Sequence, residues 1–122
     1  MNTLTEGTTP GDWLLTEADD RYSRDYVTIA AGADLASGTV LGQITASGEY
    51  APAGNGAADG TETAVAVLLN DAKAATAAVK AVVIARHARV RRGGLTFDAS
   101  HDTEAKRSAA MQQLKVAGII ED

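Results

Sequence analysis

The hydrophobic positions of this chain fall into short runs, rich in valine and isoleucine, that are separated by glycine-containing turns. Such runs predict β-strands at Tyr26–Ile29, at Thr39–Thr45 and around Tyr50. The stretch "TAVAVLLN", Thr63–Asn70, is almost wholly apolar and predicts a buried strand. Turn residues follow each run, so the pattern indicates a sheet built from short strands.

Two adjacent segments give less uniform signals. Alternation in "AVVIARHARV", residues 81–90, predicts one long strand with alternate side chains on opposite faces. Residues 71–80, "DAKAATAAVK", have the alanine content of a helix but no amphipathic stripe. The sequence therefore allows either a helix or a hairpin at residues 71–80.

The clearest helix signal lies near the C-terminus, in "HDTEAKRSAAMQQLKVAG". Asp102 or Thr103 can cap its start, and Gly118 follows its last turn. Helical spacing places an apolar stripe on one face: Ala110, Met111, Leu114 and Ala117. With about five or six strands and one helix, the predicted fold class is α+β, mostly β.

The first 24 residues are polar and contain one short apolar segment, "DWLLT". Because nothing apolar lies near it in sequence, we predict that residues 1–24 form an extended arm before a domain at 25–122. The apolar residues of this arm are then expected to dock onto another protein, where Trp13 would fill a pocket of the partner's surface. The predicted docking residues are Trp13, Leu14, Leu15 and Thr16.

Composition narrows the class of partner. A chain of 122 residues is one domain, and 45% of it is hydrophobic but only 4% aromatic, so its core is thin and self-association would add buried area. The formal charge of −5 argues against a nucleic-acid partner. No apolar run reaches the roughly 18 residues of a membrane span, and we expect neither a signal peptide nor a membrane partner.

The sequence offers few residues that could serve in catalysis or in binding a metal or cofactor. His87 is expected to be a hydrogen-bonded structural residue on a strand, and His101 a solvated residue beside a helix start. The glycine-rich loop at 54–60 lacks the lysine of a phosphate-binding loop, and the chain has no cysteine. Asp19 and Asp20 have nothing to fix their geometry. We therefore predict no enzyme activity, no metal and no cofactor.

One basic cluster, "RHARVRR", interrupts an otherwise acidic sequence. Arginine pairs well with carboxylates because its planar group donates two parallel hydrogen bonds. We predict that these arginines form ion pairs with a neighbouring subunit or partner, with a solvated face as the alternative. They are Arg86, Arg89, Arg91 and Arg92.

The order of these motifs over residues 25–120 resembles the phage head decoration protein family. The chain shows a V-T-I strand before a glycine turn, then "SGTVLG", then a tyrosine strand followed by Asp-Gly. An A-V-x-V-L strand and a helix ending in L-x-x-x-G-I follow. The matching residues are Val27, Thr28, Ile29, Gly32, Gly38, Val40, Leu41, Gly42, Tyr50, Asp59, Gly60, Ala64, Val65, Val67, Leu68, Leu95, Leu114, Gly118 and Ile119.

This resemblance implies a small β-clip-like domain that forms homotrimers on the outer surface of the virion, after synthesis in the host cytoplasm. Such trimers bind the major capsid protein at local three-fold positions of the expanded head and stabilise it against DNA pressure. The N-terminal arm makes the capsid contact, and the family has no catalytic residues. The alternatives are a soluble β-clip module that binds a small molecule or carbohydrate, and a nucleotide hydrolase whose motifs this sequence lacks.

Overall fold

The computed structural model describes residues 13–17, 23–54 and 57–121. Within these ranges the chain forms ten strands, one α-helix and a 3-10 turn at Arg92–Gly94. The strands are β1 Leu14–Glu17, β2 Arg24–Ile29, β3 Ala33–Leu35, β4 Val40–Gln43, β5 Tyr50–Pro52, β6 Ala66–Leu68, β7 Ala72–Ala74, β8 Val79–Ile84, β9 Ala88–Val90 and β10 Ile119–Glu121. The helix α1 is Glu104–Val116.

Five of the strands close into a barrel in the order β2-β5-β4-β6-β8. The longest seam is antiparallel and joins β2 to β8, with Arg24 opposite Ile84 and Ile29 opposite Val79. Strand β5 pairs antiparallel with β4 but meets β2 in parallel through a single residue pair, Ile29 and Tyr50. Short strands suffice here because closure leaves the barrel without a free edge.

The remaining strands form two small sheets outside the barrel. Strands β1, β9 and β10 make a three-stranded sheet in which β9 is central, antiparallel to β1 and parallel to β10. Strands β3 and β7 pair antiparallel as a two-stranded sheet. The structure contains more strands than the sequence predicts, because several of them have only three residues. Strands this short leave little pattern in the sequence.

Buried side chains form two clusters. The first joins barrel residues such as Leu41 and Val83 to the alanines of β7. The second lies where the barrel meets the three-stranded sheet and α1, and it includes Val67, Val90 and Leu114. The sheet and the helix therefore pack against one side of the barrel.

The predicted single strand over residues 81–90 is wrong in one respect, since β8 and β9 are separate strands in different sheets. His87 interrupts them with a left-handed φ of 49°. The Ser23 hydroxyl donates to the His87 carbonyl (2.8 Å), and the Ala85 N–H donates to the Ser23 carbonyl (2.8 Å). These bonds come from a segment distant in sequence and accompany the passage of the chain from the barrel to the outer sheet, which alternation alone cannot reveal.

The structure also decides between helix and hairpin for residues 71–80. Strand β7 is followed by a bend at residues 75–77, and β8 begins at Val79. Because β7 pairs with β3 and β8 with β2 and β6, the segment is neither a helix nor a paired hairpin. Tertiary pairing overrides the helix propensity of its alanines.

The predicted C-terminal helix is confirmed. The Thr103 side chain caps it by accepting the Lys106 N–H (3.3 Å), and Ala110, Met111 and Leu114 are its buried residues. Gly118 adopts a φ of 85° just after the helix, where a Cβ would lie 2.7 Å from the His87 ring. The fold class, α+β and mostly β, is likewise confirmed, whereas the β-clip-like character stays a prediction.

Among the described residues, no helix has the length and apolarity needed to cross a membrane.

Candidate interaction surface

Trp13 is buried within its own chain, with 0% of its surface exposed. Its ring belongs to the cluster that also contains Val90, Leu114 and Ile119, residues far away in sequence. The prediction that Trp13 has no partner within the chain is therefore wrong. Its cluster joins residues from most of the chain, including the C-terminal third, so a search of neighbouring segments could not find them.

A polar network holds the Trp13 ring in place. The Trp13 Nε1–H donates to the Ser37 hydroxyl (2.9 Å), which donates in turn to the Leu69 carbonyl (2.6 Å). The Ser37 backbone N–H is bonded to the Asp71 carboxylate (2.9 Å). The one polar atom of the indole is thus satisfied in the core, as a buried Trp requires.

Among the described residues, strand β1, directly after Trp13, is paired on one side. The Arg91 N–H donates to the Trp13 carbonyl (2.7 Å), and β1 then runs antiparallel to β9. Leu14 pairs with Val90 and Thr16 with Arg89, so Leu15 lies at a register shift. Because β1 is at the border of its sheet in the described part of the chain, its other edge is available to a further strand.

The side chains of β1 agree with this placement. Leu14 and Leu15 are half-buried, and Thr16 is exposed. Leu14 packs against the same cluster as Trp13. The docking of Leu14, Leu15 and Thr16 onto another protein stays a prediction. These residues belong to β1, which is paired with β9 of its own domain.

An ion pair ties the end of β1 to the start of β2. The Arg24 guanidinium donates two hydrogen bonds to the Glu17 carboxylate, at 2.8 and 2.9 Å. Hydrogen bonding to this carboxylate raises the pKa of Arg24. The connecting residues, 18–22, and the predicted arm residues, 1–12, lie outside the described residues.

The four arginines of the basic cluster do not act as one group. Arg86 pairs with Asp25 (2.6 Å) across the barrel seam. Arg92 pairs with Glu104 at the start of α1 and with Glu121 in β10 (2.8 Å). Ion pairs of Arg86 and Arg92 are therefore made within the chain, while pairing of Arg89 and Arg91 with another molecule stays a prediction.

Because Arg92 is paired within the chain, its replacement should lower the stability of the protein more than replacement of Arg91. Replacing Arg92 with Ala removes its bonds to α1 and β10 together with the packing of its side chain, and should cost about 1 kcal/mol of unfolding free energy. Arg91→Ala is the matched control because its side chain is exposed, and it should change stability by less than about 0.5 kcal/mol. Urea unfolding of the two variants measures the difference. Equal losses would contradict a structural role for Arg92.

The two histidines differ from expectation. His101 is buried and packs against Phe97, with ring centroids 5.8 Å apart, so the prediction of a solvated residue is wrong. His87 lies exposed at the break between β8 and β9. Among the described residues, no group of three or more His, Cys, Asp or Glu side chains is arranged to hold a metal ion.

Sequence reasoning missed the two most exposed of the large apolar side chains in the described part of the chain. Tyr26 lies in β2 and is 72% exposed, and Val116 lies in the last turn of α1 and is 90% exposed. The signals were present, since Tyr26 alternates with the buried-face residues Val27 and Ile29, and Val116 falls outside the apolar stripe of its helix. Single exposed apolar residues are common on folded proteins, so the exposure of either side chain does not by itself mark a contact surface.

Comparison with known protein families identifies a match. The family model described as Bacteriophage lambda head decoration protein D matches residues 3–119, which is nearly the whole chain. No curated protein sequence matches this chain.

Proposed function

The chain belongs to the bacteriophage lambda head decoration protein D family, whose members decorate phage capsids, and we propose that it does so as a homotrimer. In this proposal each trimer binds the outer surface of the expanded icosahedral head at a local three-fold site. It contacts the major capsid protein and stabilises the head against the pressure of packaged DNA. The match over residues 3–119 is the observation that carries the proposal.

The geometry of β1 supports a refined docking mechanism. Because Trp13 is fully buried, it cannot fill a capsid pocket, and we assign it the role of anchor. The proposed docking arm is residues 1–12, continued by the outer edge of β1 with Leu14, Leu15 and Thr16. Backbone pairing of such an edge with a capsid strand would supply affinity, and its side chains would supply specificity.

The anchor also explains how a short arm could bind well. An arm that orders on binding loses conformational entropy, and fixing its base at Trp13 reduces the number of residues that must be ordered. Three arms on one trimer would bind as a multivalent unit, which raises avidity by about 10²–10⁴. A trimer that binds only the expanded lattice would stabilise that lattice, because binding shifts the equilibrium toward the bound form.

The decisive experiment is deletion of residues 1–12, mixed with expanded empty capsids and followed by co-sedimentation. The shortened protein keeps Trp13 and β1, so it should unfold at the denaturant concentration of the full chain. Its capsid binding should fall by at least tenfold, and capsid melting should return to that of undecorated heads.

Deletion of residues 1–24 serves as the comparison, because it also removes Trp13 and β1 and should destabilise the domain itself. Capsid binding by the protein without residues 1–12 at full strength would contradict the arm mechanism. Failure of the full chain to bind capsids at all would contradict the proposed function.

A further inference from the structure

The loop between β5 and β6 contains a dipeptide that has no role in the proposed function. Asp59–Gly60 is the one Asp-Gly pair of the sequence, and both of its residues lie in the described part of this loop. The Asp59 side chain is exposed, whereas Thr61, directly after the pair, is buried. Because glycine has no Cβ, its backbone nitrogen can approach the preceding carboxyl group without steric hindrance.

Thr61 holds the Asp59 carboxylate through two hydrogen bonds. Its backbone N–H and its hydroxyl both donate to the same oxygen, Oδ1, at 3.0 and 2.5 Å. The hydroxyl bond and then the backbone bond hold the pKa of Asp59 below its usual value, because both favour the charged form. The charged carboxylate reacts poorly with a nucleophile, since its oxygen cannot leave as water. Thr61 therefore opposes attack on the Asp59 carboxyl carbon.

The Gly60 nitrogen is positioned on the other side of the same pair. Its N–H donates to the Glu62 carboxylate (2.8 Å), so an acceptor for its proton is already in place. Gly60 has a φ of 108°, and a Cβ at this position would overlap the Gln43 carbonyl oxygen and the Thr45 hydroxyl. The loop is therefore packed so closely at Gly60 that only glycine fits.

We infer that Asp59–Gly60 is a modification site, where the chain forms a succinimide and isomerises at a rate that Thr61 restrains. The Gly60 nitrogen attacks Cγ of protonated Asp59 and forms an N–Cγ bond. Its proton passes through the Glu62 carboxylate to the departing hydroxyl, which leaves as water. Water then adds to either carbonyl of the ring and reopens it, giving aspartate or isoaspartate. The reaction needs no oxidant or reductant, and the inference does not depend on the proposed function.

Isoaspartate would loosen the loop from the rest of the domain. The Asp59 carbonyl accepts the Thr45 N–H (2.9 Å), and the Thr61 carbonyl accepts the Gly54 N–H (2.9 Å). Isoaspartate routes the backbone through Cγ and inserts one more carbon between these two bonds, beside the closely packed Gly60. The added carbon shifts the two bonds out of register, so the modified chain should unfold at a lower denaturant concentration.

The test is ageing of the full-length chain at mildly acidic pH, followed by peptide mass spectrometry with fragment ions that distinguish isoaspartate from aspartate. Thr61→Val removes the hydroxyl bond and should raise the rate of isoaspartate formation at Asp59 by roughly threefold or more. Thr61→Ser keeps a hydroxyl and should age as the wild type does. In urea the Thr61 bonds are lost, so the wild type and Thr61→Val should isomerise equally fast, and faster than the folded wild type.

Asp98 provides a matched control within the chain. Its carboxylate accepts the Ser100 N–H (3.0 Å) and the Ser100 hydroxyl (2.7 Å), but alanine follows it instead of glycine. Ser100→Ala should therefore produce no isoaspartate at Asp98, and deamidation at Asn55 is told apart by its gain in mass. Equal rates in folded wild type and Thr61→Val would overturn the inference. So would a folded wild type that isomerises as fast as the chain in urea.

Discussion

Replacing Trp13 with Ala should lower the unfolding free energy of the free protein by about 3–5 kcal/mol. The ring is fully buried in the cluster between the barrel, the three-stranded sheet and α1, so its removal leaves a large cavity. The Ser37 hydroxyl also loses the indole N–H that it accepts. Denaturant unfolding in the absence of capsids measures this effect directly.

Trp13→Phe is the matched control, because it keeps an aromatic ring and removes the Nε1–H. Its cost should be smaller, about 1–2 kcal/mol, for the lost hydrogen bond and the smaller ring. A Trp13→Ala variant with wild-type stability and weakened capsid binding would contradict the anchor role. It would return Trp13 to the docking surface that the sequence first suggested.

Replacing Gly38 with Ala should destabilise the protein by about 2–5 kcal/mol. Gly38 has a φ of 89°, a conformation that costs L-residues energy. A Cβ there would lie 2.8 Å from the Gly94 carbonyl oxygen and 3.0 Å from Cδ1 of Trp13. The variant therefore combines backbone strain with crowding against the same indole that the first prediction removes.

Gly93→Ala separates this effect from a general sensitivity of glycines. Gly93 has open space around its Cβ position and no left-handed φ, so the substitution should change stability by less than about 0.5 kcal/mol. Thermal or urea unfolding of both variants gives the comparison. Equal stability of the two variants would show that the pocket around Trp13 is looser than the distances indicate.

The sequence predicted the parts of the fold whose signals are local. Helix α1 carries its own cap at Thr103 and a glycine after its last turn, and both function as predicted. Strands β2, β4 and β6 overlap the runs predicted as strands at Tyr26–Ile29, Thr39–Thr45 and Thr63–Asn70. The break at His87 was not predictable, because it depends on hydrogen bonds from Ser23 and on the chain beside Gly118.

At the candidate site, too, local features could be predicted from the sequence and contacts between distant segments could not. The residues around Trp13 were recognised as unusual because an apolar segment stood alone in a polar stretch. Three residues of its cluster, Val90, Leu114 and Ile119, follow it by more than 70 positions, and no local pattern links them to it. Isolation in sequence was interpreted as isolation in space and led to a predicted docking role for Trp13, whereas the structure buries the indole within its own chain.

By itself, the sequence determined the fold class, the C-terminal helix, most barrel strands and the absence of local catalytic motifs. Each of these depends on periodicity, caps and turn residues, which act over a few positions. Only the tertiary structure decided which strands share a sheet, where β8 ends, and that Trp13 closes the core while Tyr26 and Val116 stay outside it. Burial depends on which distant segments pack together, and the free energy of burying an indole is gained only when those segments meet.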